Sequence, residues 1–410
     1  MAAVFVIPSA RAARARSVIS PARAAPVGAQ VPAGRPRDAT ALARYATARA
    51  RNATARPRHF ALARPHYPWR FPRDAGAHPA YGNEWWYFTG NLRSPHGHRF
   101  GFELTFFRIS PFPGATLRQD AYFAHFALTD ITAGRFFFHT RARRGAWGQA
   151  GVRGAPPRIW NVNWRAGFAA WGPRSLRARW GRFALRLALG RDRRMFNGPD
   201  GYSRKGPAPG QASEYYSLPR LPAAGWVTFA GRRYAVRGAA WMDHEFASDQ
   251  LAANQIGWDW LGLQLQTSDA SANAPRDLML FQIRDHSGGV DAHSAGTLRT
   301  AGGDFALAEP QFLMQPGRIW RSPASGARYP VGWRVRIPSR RLRLTVTAAV
   351  DNQELRARAP MAVDYWEGAV RVRGRWRGHP VRGAGYLEMT GYSHLFTALH
   401  APDAAISAPH

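Results

Sequence analysis

The stretch H-P-A-Y-G-N-E-W-W-Y-F-T-G-N-L, residues 78–92, sets Glu84 directly against Trp85, Trp86, Tyr87 and Phe88. Ring side chains pack well on a pleated surface, and a short apolar run closed by Gly-Asn reads as a strand. Pro79 and Gly82 argue for an extended lead-in rather than a helix. A carboxylate among rings must be solvated, paired or protonated, because burying it bare is costly. The simplest partner for Glu84 is an Arg such as Arg108, in a buried pair that fixes strand register. A chemical role for Glu84 is the secondary reading.

Outward from this run, Phe100, Phe102, Leu104 and Phe106 alternate with Gly101, Glu103, Thr105 and Phe107, the period of a strand. Residues 94–98 supply the turn, so the two runs form a hairpin. Residues 121–130 predict a third strand, with His125 as a core histidine. Residues 160–164, which alternate Trp, Val and Trp with Asn, predict another, and so do residues 183–189. Residues 200–210 are a polar Gly/Pro loop. Glu214-Tyr215-Tyr216 then opens a strand, and residues 225–236 form a hairpin around Gly231. Such a meander is typical of an antiparallel barrel or sandwich.

The pattern then restarts. Trp258-Asp259-Trp260 sets an acid against tryptophans like the run at Glu84, and residues 278–284 resemble residues 102–108. At the far end G-A-G-Y-L-E, residues 383–388, echoes G-A-A-W-M-D, residues 238–243. Each half therefore opens with an acid/Trp strand and closes with Gly-Ala-x-aromatic-x-acid. This predicts an all-β protein of two related, consecutive antiparallel β domains, residues 71–249 and 250–400, in preference to one long sandwich.

Composition supports strands and turns, with 16 Trp, 23 Phe, 13 Tyr, 40 Gly and 31 Pro in 410 residues. No apolar run is long enough for a transmembrane helix. The absence of cysteine removes disulfides, thiol nucleophiles and thiolate metal sites. The net charge of +32 is almost all Arg, since Lys205 is the only lysine. Dispersed Arg of this kind reads as genome-wide bias rather than a nucleic-acid surface, so no specific nucleic-acid partner is expected. Residues 1–65 are rich in Ala, Arg and Pro, with Asp38 as their one acid. They read as a disordered tail, and an Arg-rich, acid-poor start suits a targeting segment although no clear signal peptide is present.

Several chemistries are excluded. Gly391-Tyr392-Ser393 lacks the closing Gly of a nucleophile elbow, and His244-Glu245 lacks the second His of a metalloprotease helix. There is no phosphate loop and no dinucleotide fingerprint, so neither a cofactor nor a metal is expected.

Residues 71–92, the block G-A-A-W-M-D-H-E-F at residues 238–246 and G-Y-L-E-M-T-G-Y at residues 385–392 resemble the AttH-like group. Its members are secreted bacterial proteins related to hydroxyneurosporene synthase, the carotenoid 1,2-hydratase. The resemblance covers nearly everything after Pro68. It implies two lipocalin-like (calycin-like) β-barrels, a periplasmic or secreted location and an apolar isoprenoid or lipid-like ligand, with peripheral membrane association compatible. The activity it implies is a hydro-lyase reaction adding water across a terminal alkene. The alternative is a non-catalytic carrier or accessory protein of a lipid or ABC-type export system.

Hydration of an alkene needs a carboxylic acid kept protonated in an apolar site, aromatic faces for the carbocation, and a base for the incoming water. Asp243 fits the acid, and Trp241 and Tyr216 the cation-stabilising walls. Glu214 and Glu245 complete the catalytic candidates, with His244 secondary. Residues 241, 243 and 245 share one face of a strand and are expected to point into one barrel, with His244 pointing the other way. Trp85, Trp86, Tyr87, Trp258 and Trp260 are the ligand-binding candidates; packing of the barrel core is their other reading. The chain departs from the hydratase in carrying Trp rather than Tyr before x-Asp243, and Glu214-x-Tyr216 near where the hydratase has His-x-Trp.

Overall fold

The computed structural model describes residues 59–268, 276–357 and 364–393. The first half forms β1 (Asn83–Arg93), β2 (Arg99–Ile109), β3 (Ala121–Asp130), β4 (Arg135–Arg144), β5 (Ala150–Arg153), β6 (Arg158–Asn161), β7 (Trp164–Ala169), β8 (Gly172–Trp180), β9 (Phe183–Leu189), β10 (Met195–Phe196), β11 (Tyr202–Arg204), β12 (Ala212–Phe229) and β13 (Arg232–Ala247). The second forms β14 (Gln255–Thr267), β15 (Arg276–Asp285), β16 (Ala295–Thr300), β17 (Gly303–Ala308), β18 (Leu313–Pro316), β19 (Ile319–Arg321), β20 (Arg328–Pro330), β21 (Gly332–Ile337), β22 (Leu342–Ala348), β23 (Glu354–Arg356), β24 (Asp364–Trp376) and β25 (His379–Met389).

These make two large curled antiparallel sheets. The first runs β4-β3-β2-β1-β13-β12-β9-β8-β7-β6-β5, and the second β17-β16-β15-β14-β25-β24-β22-β21-β18. Both ends of the first path are drawn together: Asn161 of β6 donates to Tyr122 O of β3, and Arg141 of β4 donates to Asn161 O. In each half the opening strand pairs with both its hairpin partner and the closing strand: β1 with β2 and β13, β14 with β15 and β25. That pairing is the structural content of the echo between the two halves.

Each sheet wraps its own apolar core, Trp86, Phe88, Phe102 and Trp164 in the first and Leu261, Trp333, Val346 and Trp366 in the second. A third apolar layer is shared between the sheets: Trp85, Tyr87, Phe107, Tyr215 and Trp241 meet Trp258, Trp260, Phe281, Ala369 and Tyr386. Both faces of β1, and of β13 over residues 240–247, are therefore buried, so neither stretch alternates polar and apolar positions.

Two expectations change. Residues 160–164 are not a strand: Val162 takes a left-handed φ of 58° and turns the chain between β6 and β7. The ordered chain also begins before the boundary that composition set at Pro65. Ala61 N–H donates to Ala80 O, and Arg64 N–H to Glu214 Oε1. The rest of the tail, residues 1–58, lies outside the described residues, as do residues 394–400.

Candidate functional site

The alternation along β13 splits the candidate residues between two sites. Trp241, Asp243 and Glu245 share a face, but that face looks out of the first sheet's core into the layer shared with the second sheet. Met242, His244 and Phe246 look into the first core. Tyr216 goes with them: its hydroxyl lies 3.3 Å from His244 Nδ1, so it is no wall for Asp243. The neighbour one residue earlier, Tyr215, takes that place. Glu214 is likewise remote from Asp243; it accepts Arg64 N–H, and burial pushes it up to about 7.

Asp243 is fully buried, and three described side chains donate to it. Trp241 Nε1–H and Ser217 Oγ–H reach Oδ1 at 2.7 and 2.5 Å, and Tyr215 Oη–H reaches Oδ2 at 2.7 Å. Ser217 is itself fixed as a donor, because Asn197 Nδ2–H occupies its lone pair at 2.8 Å. Oδ1 is thus acceptor-only, and Oδ2, facing a phenol, is where a proton can reside. Desolvation outweighs the donors and raises the Asp243 carboxyl above its ordinary value.

Two residues on, Glu245 has a different environment. It accepts a short hydrogen bond from Ser213, a longer one from Gln250 Nε2 at 3.3 Å, and faces Lys205 Nζ at 3.4 Å. Lys205 is buried, donates to Ser203 Oγ at 2.6 Å and lies 4.0 Å over the Phe281 ring. Burial pulls its ammonium down to about 8, against the attraction of Glu245. The two carboxyls thus differ in their described partners, Asp243 meeting hydroxyl and indole donors and Glu245 facing the Lys205 ammonium.

The ring walls come from both sheets. Trp260 sits edge-to-face with Trp241 at 5.9 Å and with Tyr87 at 5.3 Å, and its Nε1–H donates to Tyr215 Oη at 3.2 Å. Tyr87 is the register partner of Asp243, as Trp260 is of Glu388. Beyond Tyr87 lies a second group of buried acids, which the sequence reading missed. Tyr87 Oη–H donates to Glu367 Oε1 at 2.8 Å; Glu367 is directly opposite Glu388; Trp258 Nε1–H donates to Glu388 at 3.2 Å. Glu103 accepts from Thr105 and Tyr365 at 2.9 and 3.3 Å. Burial, then Glu388 and Glu103, push Glu367 well above the carboxylate range, and burial pushes Glu103 up to about 7. Trp85 also lies in the shared layer, whereas Trp86 points into the first core, stacked on His244 at 4.9 Å.

Glu84 and His244 belong to a separate network inside the first sheet. Glu84 Oε1 meets His78 Nδ1 at 2.6 Å and His244 Nε2 at 2.9 Å, while Oε2 accepts from Arg108 Nε at 2.9 Å and His78 N at 2.9 Å. Arg108 also reaches Asp120 at 3.1 Å and donates to the carbonyls of His78 and Tyr81. The Glu84–Arg108 pair expected from sequence is present, and the two are register partners. His78 has Asp74 3.4 Å from its other nitrogen, so carboxylates on both sides raise its imidazole, against desolvation. His78, Glu84 and His244 are the donor set among the described residues that could hold a metal ion. Their spacing, however, is that of hydrogen bonds; ligands around a tetrahedral ion stand roughly 3.3 Å apart.

Comparisons with known proteins agree with this architecture. The family model described as AttH-like matches residues 62–392. A crystal structure from Nitrosomonas europaea, named as an AttH, superposes with a TM-score of 0.71 at 34% identity, covering 81% of this chain and 100% of that one. Kievitone hydratase from Nectria haematococca gives a TM-score of 0.58 at 14% identity, covering 82% of this chain and 97% of its own. CghA, solved with Sch210972, gives 0.51 at 15% identity, covering 83% and 96%. At such identities the last two show the fold alone. Among curated proteins none matches.

Proposed function

Because this chain belongs to the AttH-like family, we propose that its lipocalin-like pair of sheets binds an apolar, isoprenoid or lipid-like molecule in the shared layer and hydrates a terminal alkene there. The observation that carries the reading is two buried carboxyls on one strand face with different partners: Asp243 accepting from Tyr215, Ser217 and Trp241, and Glu245 against Lys205. The hydratase named among the structural neighbours is consistent with it in fold.

In this mechanism the Oδ2 proton of Asp243 adds to the less substituted alkene carbon, leaving a tertiary carbocation and an Asp243 carboxylate. The faces of Trp241, Trp260 and Tyr87 stabilise the cation. Water attacks it and loses a proton to Glu245, whose Oε1 faces the Lys205 ammonium at 3.4 Å. Return of that proton to Asp243 restores the starting state, so the net change is addition of one water. Burial serves both roles, raising the acid and excluding competing bases.

The test is incubation of the full chain with an acyclic carotene, following a product one water heavier by mass spectrometry. Wild type is expected to turn over; Asp243→Asn and Glu245→Gln are expected to lose about 100-fold or more in kcat while still quenching tryptophan fluorescence on ligand binding. Turnover by Asp243→Asn at the wild-type rate refutes the acid assignment. The carrier reading is favoured by one feature, the three donors on Asp243, which also suit a permanently ionised, structural carboxylate. It predicts saturable quenching with no product from any variant.

A further inference from the structure

The first sheet carries an unusual surface at one end. From Ile131 to Arg191 the sequence holds thirteen arginines and no Asp or Glu. Strand β4 runs across two hairpin tips in this region: Arg135 lies over Phe229 at the β12–β13 turn, and Phe137 stacks on Phe183 and His139 on Trp180 at the β8–β9 turn. Further along, Arg141 donates to Asn163 Oδ1 at 2.5 Å and Arg179 O at 3.5 Å, binding β4 to the β6–β7 turn and the end of β8. The loop that follows β4 is tied to the same turn, since Val162 N–H donates to Gln149 O at 2.7 Å and Trp160 Nε1–H to Gly148 O at 2.8 Å.

This connected rim exposes large apolar side chains at its tips. Trp147 is 85% exposed on the loop after β4, Trp180 is 44% exposed at the end of β8, and Val162 is 42% exposed in the β6–β7 turn. Around them stand the exposed Arg143, Arg144, Arg165, Arg179 and Arg182. Asp120, whose carbonyl accepts Gly145 N–H, has its own carboxylate buried on Arg108 and lends the rim no charge. An exposed indole among cations, with no counter-charge, is costly in water and suited to a lipid headgroup layer. There the ring enters the interface and the guanidinium groups meet phosphates.

We propose that this rim docks the protein on an anionic bilayer, Trp147 inserting at the headgroup level with Arg143 and Arg144 beside it. The inference stands apart from turnover at Asp243, since docking is measured without any reaction. It would give the shared layer access to ligands dissolved in lipid.

The experiment is co-sedimentation of the full chain with vesicles of phosphatidylglycerol and phosphatidylcholine, against pure phosphatidylcholine. Binding to the anionic vesicles is expected, falling with added salt. Trp147→Ser is expected to weaken it about 10-fold and the pair Arg143→Gln/Arg144→Gln about 30-fold. The same charge change on β21, Arg334→Gln/Arg336→Gln, is expected to leave it unchanged. Three outcomes overturn the proposal: no vesicle binding by wild type, equal losses from both arginine pairs, or binding insensitive to Trp147→Ser. Tight binding to duplex DNA without vesicle binding would overturn it too, in favour of a nucleic-acid surface.

Discussion

Replacing Glu103 by Gln should flatten the pH dependence of stability. Glu103 lies buried in the shared layer, with Thr105 and Tyr365 as donors and, among the described residues, no hydrogen-bond partner for Oε2. The nearest base, His125, is 4.0 Å away and is itself pulled down to about 3 by burial, so it brings no cation. The carboxyl rises from 4.5 in its ordinary setting to about 7. A folded-state value above the unfolded one means the native protein keeps a proton that the unfolded chain has released. The stabilisation is complete below pH 4.5 and is lost as pH rises through about 7. At about 1.4 kcal/mol per unit, wild type loses about 2–3 kcal/mol between roughly pH 5 and pH 8 from this residue alone. Glutamine cannot ionise, so Glu103→Gln should equal wild type within about 1 kcal/mol at the acid end and exceed it by about 2 kcal/mol at the alkaline end. Urea unfolding at both pH values, followed by tryptophan fluorescence, measures the difference. Glu367, which Glu103 helps to raise, is relieved in the same direction by the substitution and adds to the difference. Parallel stability–pH curves would refute the claim that Glu103 is held protonated by burial.

Two further outcomes test the frame around the site. Arg108→Leu leaves Glu84 and Asp120 as buried charges without their cation and should cost about 3–5 kcal/mol in the same unfolding assay; adding Asp120→Asn should recover part of it, and an unchanged midpoint for the single variant contradicts the network. Gly101→Ala adds a Cβ that would lie 2.7 Å from Tyr386 Oη and 2.8 Å from Ala369 Cβ, both on the second sheet. It should cost about 1–3 kcal/mol by prising the sheets apart, and no loss would mean the sheets do not touch there.

Much of the strand pattern was legible. The hairpin of β1 and β2, β3 at residues 121–130 and β9 at residues 183–189 follow from period-2 alternation and turn residues. Residues 160–164 misled because alternation of Trp, Val and Trp is also compatible with a tight turn, and only the backbone shows Val162 with positive φ. The grouping of Trp241, Asp243 and Glu245 on one face was equally legible. Which way that face looks was not. Polarity tells inside from outside only when one face meets water, and β13 is buried on both over residues 240–247. For the same reason sequence alone does not tell Tyr215 from Tyr216 as the partner of Asp243, since one residue flips a side chain through the sheet. Lys205 stood out as the only lysine, yet nothing local to it announces Glu245, 40 positions away.

The repeat in the sequence explains why the acids collect between the sheets rather than within either. Each half lays its closing strand against its opening strand, so each presents an aromatic-x-acid pair to the same layer: Trp241 and Asp243 from β13, Tyr386 and Glu388 from β25. Two such pairs brought face to face place carboxyls in a dry interior where like charges cannot all persist. In the second sheet the conflict stands, Glu388 opposite Glu367, and Glu367 is pushed upward. In the first, β12 relieves it by supplying Tyr215 and Ser217 to Asp243 and Ser213 to Glu245, and the chain just before β12 supplies Lys205. The two halves have thereby taken unequal parts. The first holds Asp243 and the Glu245–Lys205 pair; the second supplies Trp258, Trp260 and the raised carboxyl of Glu367. A site divided in this way exists only when both sheets are folded against each other, and for that reason a substitution at Gly101, remote from Asp243 in sequence, is expected to reach the chemistry as well as the stability.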